Sequence, residues 1–166
     1  MRKPFVYVTA AALLAATCVF SQTKSSFVGT WKLDTAQSQM GQPMKSLTVI
    51  ILKETPQVLS WRGHGLDDKG QPFSLAWKGP EDGSMHTTMR NGKADSKQSA
   101  RKEQDGTIVR RGEDKDGSFE ARSKVSADGE ILIDEITSQS KDGKETKERD
   151  VYQRLRSHHG TKKPAA

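Results

Sequence analysis

Asp105 to Gly129 reads DGTIVRRGEDKDGSFEARSKVSADG. Three Asp-Gly pairs, at 105–106, 116–117 and 128–129, punctuate this stretch. Such pairs tolerate the positive φ that tight hairpin turns demand. Between the last two, Phe119, Ala121, Ser123 and Val125 alternate with Glu120, Arg122 and Lys124, the period of a half-buried strand. The same punctuation extends outward through Asp68-Lys69-Gly70, Glu81-Asp82-Gly83, Asn91-Gly92 and Asp142-Gly143. Successive turn glycines are 13, 9, 14, 11, 12 and 14 residues apart, room for one strand each time. The spacing predicts an antiparallel meander.

Further strands are expected over Phe27–Leu33, Leu47–Lys53, Val58–Leu66, Pro72–Lys78, Met85–Arg90 and Ala94–Lys102, with a last one from Glu145 to Arg154. Phe73, Leu75 and Trp77 share one face of theirs. Ile131, Leu132 and Ile133 are consecutive, so a bulge or change of face is expected before Ile136. Residues 34–43 suit a short helical turn followed by a loop across one barrel end. An open sheet of about ten strands would expose two edges, and closing it removes both. The fold class expected is therefore all-β, a single antiparallel up-and-down β-barrel of about 8–10 strands. A two-layer sandwich, which needs long crossing connections, is the alternative.

Residues 1–21 read as a secretory signal peptide, in which Arg2 and Lys3 precede an apolar run from Phe5 to Phe20. The run is short for a membrane span, and no other stretch approaches the roughly 20 residues one needs. A secreted or periplasmic location follows, with lipid anchoring at Cys18 as the alternative. Thr17 and Ala15 suit a lipobox poorly. Cys18 is the only cysteine, so the mature chain has no disulfide, thiolate ligand or cysteine nucleophile. Residues 22–155 make one domain, and 156–166 a basic tail read as disordered. The formal charge of +6 is concentrated at the ends: from 22 to 155 there are 22 basic and 21 acidic residues. That balance argues against nucleic acid as a partner. A monomer without a transmembrane helix is expected.

Gly29-Thr30-Trp31-Lys32-Leu33, placed ahead of a regular meander, resembles the opening of the calycin superfamily of lipocalins and fatty-acid-binding proteins. The stretch from Phe27 to Leu155 is similar to small secreted bacterial lipocalin-like proteins, through Gly-Thr-Trp-Lys-Leu-Asp, Ser38, a Pro-x-Lys-Ser before strand two, and the closing Val151-Tyr152. The resemblance implies a barrel whose floor is closed by Gly29 and Trp31, with a basic side chain of the last strand, Arg154, across the indole. It also implies a ligand held in the interior. The segment between strands one and two is too short for a helix-turn-helix lid, and the carboxylate-gripping tyrosine and arginines cannot be placed. Fatty acid is not carried over.

Cavity candidates are Trp61, Phe73, Trp77, His86, Arg122 and Ile133. The aromatic residues serve equally as core filling. Ser84, Thr88, Ser96, Ser99, Arg101 and Arg122 either make a hydrated lumen or face solvent, because alternation cannot separate two hydrophilic faces. His64 and His86 have no second ligand at metal spacing, so neither metal nor cofactor is expected. Asp114-Lys115-Asp116-Gly117 fails as a calcium loop, since Gly112 and Ser123 occupy the positions that need acids. No nucleophile elbow or poised acid pair is visible, so no catalytic residue is assigned and no enzyme expected. The function expected is non-covalent binding of a small molecule of unspecified identity. A non-enzymatic structural or protein-interaction module of the envelope is the alternative.

Overall fold

The computed structural model describes residues 26–156. The signal-peptide assignment, Cys18 and the tail beyond Arg156 lie outside the described residues. Ten strands run β1 (Gly29–Leu33), β2 (Met44–Thr55), β3 (Val58–Asp67), β4 (Pro72–Gly79), β5 (His86–Arg90), β6 (Lys93–Lys102), β7 (Ile108–Glu113), β8 (Gly117–Val125), β9 (Ile131–Ser140) and β10 (Glu145–Leu155). Each pairs antiparallel with its chain neighbours, and β1 pairs with both β2 and β10. The sheet is one closed up-and-down barrel, and the sandwich alternative is excluded.

The turns follow the chemistry of their residues. Gly70, Gly83, Gly92, Gly106, Gly129 and Gly143 all have positive φ. Gly117 does not. It is the first residue of β8, where a Cβ would collide with the Gln139 carbonyl oxygen across the ladder. The turn there is shaped by Asp114, whose carboxylate accepts from the N–H groups of Asp116 at 2.7 Å and Gly117 at 2.9 Å. At three other turns the carboxylates of Asp82, Asp128 and Asp142 accept from nearby serines. Ser126 and Ser140 hold Asp128 and Asp142 below the ordinary carboxylate range by such bonds.

Closure happens at one end. Trp31 stands opposite Arg154 in the β1–β10 register and is fully buried, its indole N–H donating to the Phe27 carbonyl at 2.8 Å. The Arg154 guanidinium lies 4.0 Å from the indole centroid and donates to the carbonyls of Gly129, Val28 and Ser26 at 2.5, 2.8 and 2.6 Å. A Cβ on Gly29 would strike that guanidinium, so glycine is what leaves Arg154 its place. Lys102 pairs with Glu54 at this end, and Glu54 accepts the Phe27 N–H at 3.1 Å.

Residues 34–43 cover part of the opposite end. No helix forms there. The Asp34 carbonyl accepts from Gln37 and Ser38, making a single turn, and Gln39 then bridges to Arg149 of β10. The expected bulge in β9 is also missing, because β9 pairs without register shift with both β8 and β10. Leu132 points into the barrel, while Ile131 and Ile133 lie on the outer face. The Asp34 N–H donates to the Val151 carbonyl at 2.8 Å, extending the β1–β10 ladder, and Val151 is buried. Three consecutive apolar residues cause no irregularity here: the ladder stays continuous, Leu132 is buried, and Ile131 and Ile133 are left half-buried.

Candidate functional site

Above the Trp31 floor the barrel encloses a cavity of about 360 Å³. Two walls differ in chemistry. The β2–β4 wall is apolar, built from Leu47, Val49, Trp61 and Leu75. On the β7–β10 wall, Arg110, Ser123, Asp134, Glu148, Asp150 and Tyr152 interrupt the apolar lining.

The register explains how the polar wall is assembled. Arg154 faces inward over Trp31, so two-residue alternation brings Tyr152, Asp150 and Glu148 to the same face of β10. Their partners on β9 are Leu132, Asp134 and Ile136, and those on β8 opposite the latter pair are Ser123 and Ala121. Asp134 and Asp150 thus stand directly across one ladder, an arrangement that sets like charges against each other. They are only 7% and 6% exposed. Arg110 of β7 reaches Asp134 Oδ2 at 2.6 Å. Tyr152 makes a long 3.4 Å bond to Asp150 Oδ2. Asp134 Oδ1, Asp150 Oδ1 and the Trp61 indole N–H have no partner.

Burial is the main reason that the Asp150 carboxyl is pushed up to about 6, with Asp134 and then Glu148 adding repulsion. Tyr152 is raised well above the ordinary phenol value, first by burial and then by the two aspartates. The stability consequence has a definite sign. Folded Asp150 binds its proton more tightly than an unfolded aspartate, so this group's contribution is most favourable below about pH 4 and declines as pH rises through about 6. Asp150→Asn is expected to remove that decline, gaining on the order of 1–2 kcal/mol relative to wild type at neutral pH after discounting for water in the cavity. Urea denaturation of both proteins across that range checks it. The turn aspartates slope the other way, but they are common to both proteins and cancel. An unchanged difference between about pH 4 and pH 7 would rule the account out.

Of the residues singled out in the sequence, Trp61 lines this cavity. Trp77 is buried in the core, its indole N–H donating to the Gln98 and His86 carbonyls. Phe73 packs against the core with Arg90 5.4 Å from its centroid. His86 meets Trp77 edge-on, with its Nε2 3.1 Å from the Ser84 hydroxyl. Arg122 and Ile133 do not line the cavity. Arg122 projects to the exterior, bonded to Glu103 at 2.5 Å, while its chain neighbours Ala121 and Ser123 face in. Ile133 is one residue out of phase with Leu132 and Asp134, both of which do line it.

The hydrophilic set Ser84, Thr88, Ser96, Ser99, Arg101 and Arg122 divides. Thr88 is buried, Ser84 and Arg101 are exposed, and Ser99 is buried with its hydroxyl donating to the Arg111 carbonyl. The polar lumen is real but lies on other strands. The run Asp82, Ser84 and His86 brings an acid, a hydroxyl and an imidazole together, yet the Ser84 hydroxyl donates to Asp82 at 2.6 Å, and both Asp82 and Ser84 are exposed. His64 is exposed on β3. Among the described residues no three His, Cys, Asp or Glu side chains converge as metal ligands do, and no helix is long and apolar enough to cross a membrane. A wider depression of about 620 Å³ lies outside the barrel among exposed residues such as Asp95, Lys97, Asp114 and Lys141. It has no buried polar atom to satisfy.

No protein-family model matches the chain, and no curated protein matches it. The cavity's own chemistry is the ground for a functional reading.

Proposed function

We propose that this protein is a calycin-type binding protein that holds a small molecule non-covalently inside its barrel and performs no catalysis on it. We further place it outside the cytoplasm, on the strength of the leader pattern at residues 1–21, and read it as a monomer. The observation that carries the binding reading is the enclosed space itself. About 360 Å³ lies within the barrel, bordered by apolar side chains and by three buried polar atoms without partners. A core evolved only to be filled would not leave such groups unpaired, since each costs about 1–3 kcal/mol. Small-molecule sites have this combination of apolar lining, a few convergent polar groups and a volume of roughly 300 Å³ or more.

Titration with the neutral fluorophore N-phenylnaphthylamine tests the reading. Its emission is expected to rise on packing against the apolar wall of the cavity, at one dye per chain. Val49→Phe, which fills the space from the apolar wall, should weaken uptake at least about tenfold, while circular dichroism and melting temperature stay close to wild type. No uptake by wild type, or equal uptake by a folded Val49→Phe protein, would rule out an interior site.

A further inference from the structure

The unpaired groups of the cavity specify more than that something binds there. This step rests on the interior-binding reading and concerns the charge of the occupant. Three carboxylates, Asp134, Glu148 and Asp150, border the space, against the single guanidinium of Arg110. That guanidinium is committed to Asp134 Oδ2. The Oδ1 atoms of Asp134 and Asp150, residues only 7% and 6% exposed, accept nothing. A carboxylate oxygen is an acceptor only, so the group that completes it must be a donor, and a charged donor is favoured about twofold over a neutral one in strength.

We propose that the occupant is an organic cation, with an apolar body against Leu47, Val49, Trp61 and Leu75 and a protonated primary or secondary amine shared by Asp134 Oδ1 and Asp150 Oδ1. The unpaired Trp61 N–H adds one requirement on the body, a hydrogen-bond acceptor such as a hydroxyl, ether or carbonyl oxygen. A fatty acid would bring a further negative charge beside three carboxylates, and it is the occupant this wall rejects. A bare metal ion is also disfavoured, because the acids do not converge as a ligand set. One apolar wall facing one acidic wall fits a molecule that is itself two-sided.

The charged and titratable groups acting on Asp150 are Asp134 from β9, Arg110 from β7, and Glu148 and Tyr152 from its own strand, while the covering segment adds only the neutral Gln42 to the cavity lining. β1 presents Trp31 and Leu33, which are apolar. Burial and its acidic neighbours push the Asp150 carboxyl up to about 6. Amine affinity should therefore fall between about pH 7.5 and pH 5, while that of a neutral analogue stays flat.

The test is competition against N-phenylnaphthylamine by three matched compounds, naphthylmethylamine, naphthylmethanol and naphthoate. Naphthylmethylamine is expected to displace the dye at least about tenfold more effectively than the alcohol, with naphthoate weakest. Asp150→Asn and Asp134→Asn, each checked for folding by circular dichroism and melting, should each reduce the amine's advantage to about threefold or less and leave alcohol binding intact. If the alcohol or naphthoate equals the amine, or the advantage survives both substitutions, the cation assignment is wrong while interior binding stands. If the dye itself never enters, both readings fall together.

Discussion

Arg154→Met is expected to lower the melting temperature by roughly 10 °C, from a loss of about 3 kcal/mol. The guanidinium donates to three carbonyls from two separate segments, Ser26 and Val28 before β1 and Gly129 in the β8–β9 turn, and stacks on the buried indole of Trp31. The indole contact is worth about 0.5–2 kcal/mol, and a charged hydrogen bond about 1.5–3, of which the exposed ones deliver least. Lysine is no substitute. Its point charge cannot reach three diverging carbonyls from a planar fork, so Arg154→Lys should show most of the same loss. A double-mutant cycle with Trp31→Phe isolates the stacking term, expected at about 1 kcal/mol. A melting temperature within a degree or two of wild type for Arg154→Met would mean that the β1–β10 ladder closes the barrel unaided.

Arg110→Met should be the more damaging change at neutral pH, costing about 3–5 kcal/mol. Its side chain is 18% exposed and that of Asp134 10% exposed, so losing the cation leaves three carboxylates around one cavity with nothing to offset them. The loss depends on pH in a way that ordinary packing damage does not. Without Arg110 the Asp150 carboxyl, already pushed up by burial and by its acidic neighbours, has still more reason to hold a proton. The folded variant then binds protons that the unfolded chain releases, so the deficit should shrink as the solution is taken from about pH 7.5 to pH 5. Arg110→Met combined with Asp134→Asn removes one charge of each sign and should recover most of the stability. Urea denaturation at the two pH values provides all these comparisons. An equal loss at both pH values, with no recovery in the double variant, would mean that Arg110 acts through packing alone.

The polar wall is legible in the sequence through the phase of β10, although of the expected cavity residues only Trp61 lines the cavity. Pairing Arg154 with Trp31 already places Arg154 inside the barrel, and that sets the phase of the last strand. Counting back by twos from it yields Tyr152, Asp150 and Glu148, the acidic side of the cavity. From Ser84 to Arg101 hydrophilic residues occupy both faces, so alternation has no contrast to work with. Arg122 illustrates the difference. It alternates against Phe119, Ala121 and Ser123, three residues that line the cavity, so its own strand already assigned it to the exterior. In β9 the run Ile131-Leu132-Ile133 hid the phase, because Leu132 is buried inside while Ile131 and Ile133 are apolar residues left half-buried on the outer face.

Local chemistry therefore determined the reversals, their order and the up-and-down course of the strands, since a turn's φ preference and a strand's period act within a few residues and need no partner. The closing set of Gly29, Trp31 and Arg154 came instead from the resemblance of Gly29-Thr30-Trp31 to the calycin opening. Which acids meet inside was decided only in three dimensions. Asp134 and Asp150 are 16 residues apart in the chain, and neither is unusual where it stands. They become a buried like-charge pair because β9 and β10 pair in one register, with Arg110 supplied by a third strand. Burial and mutual repulsion arise from that assembly, and no segment of the chain contains them by itself.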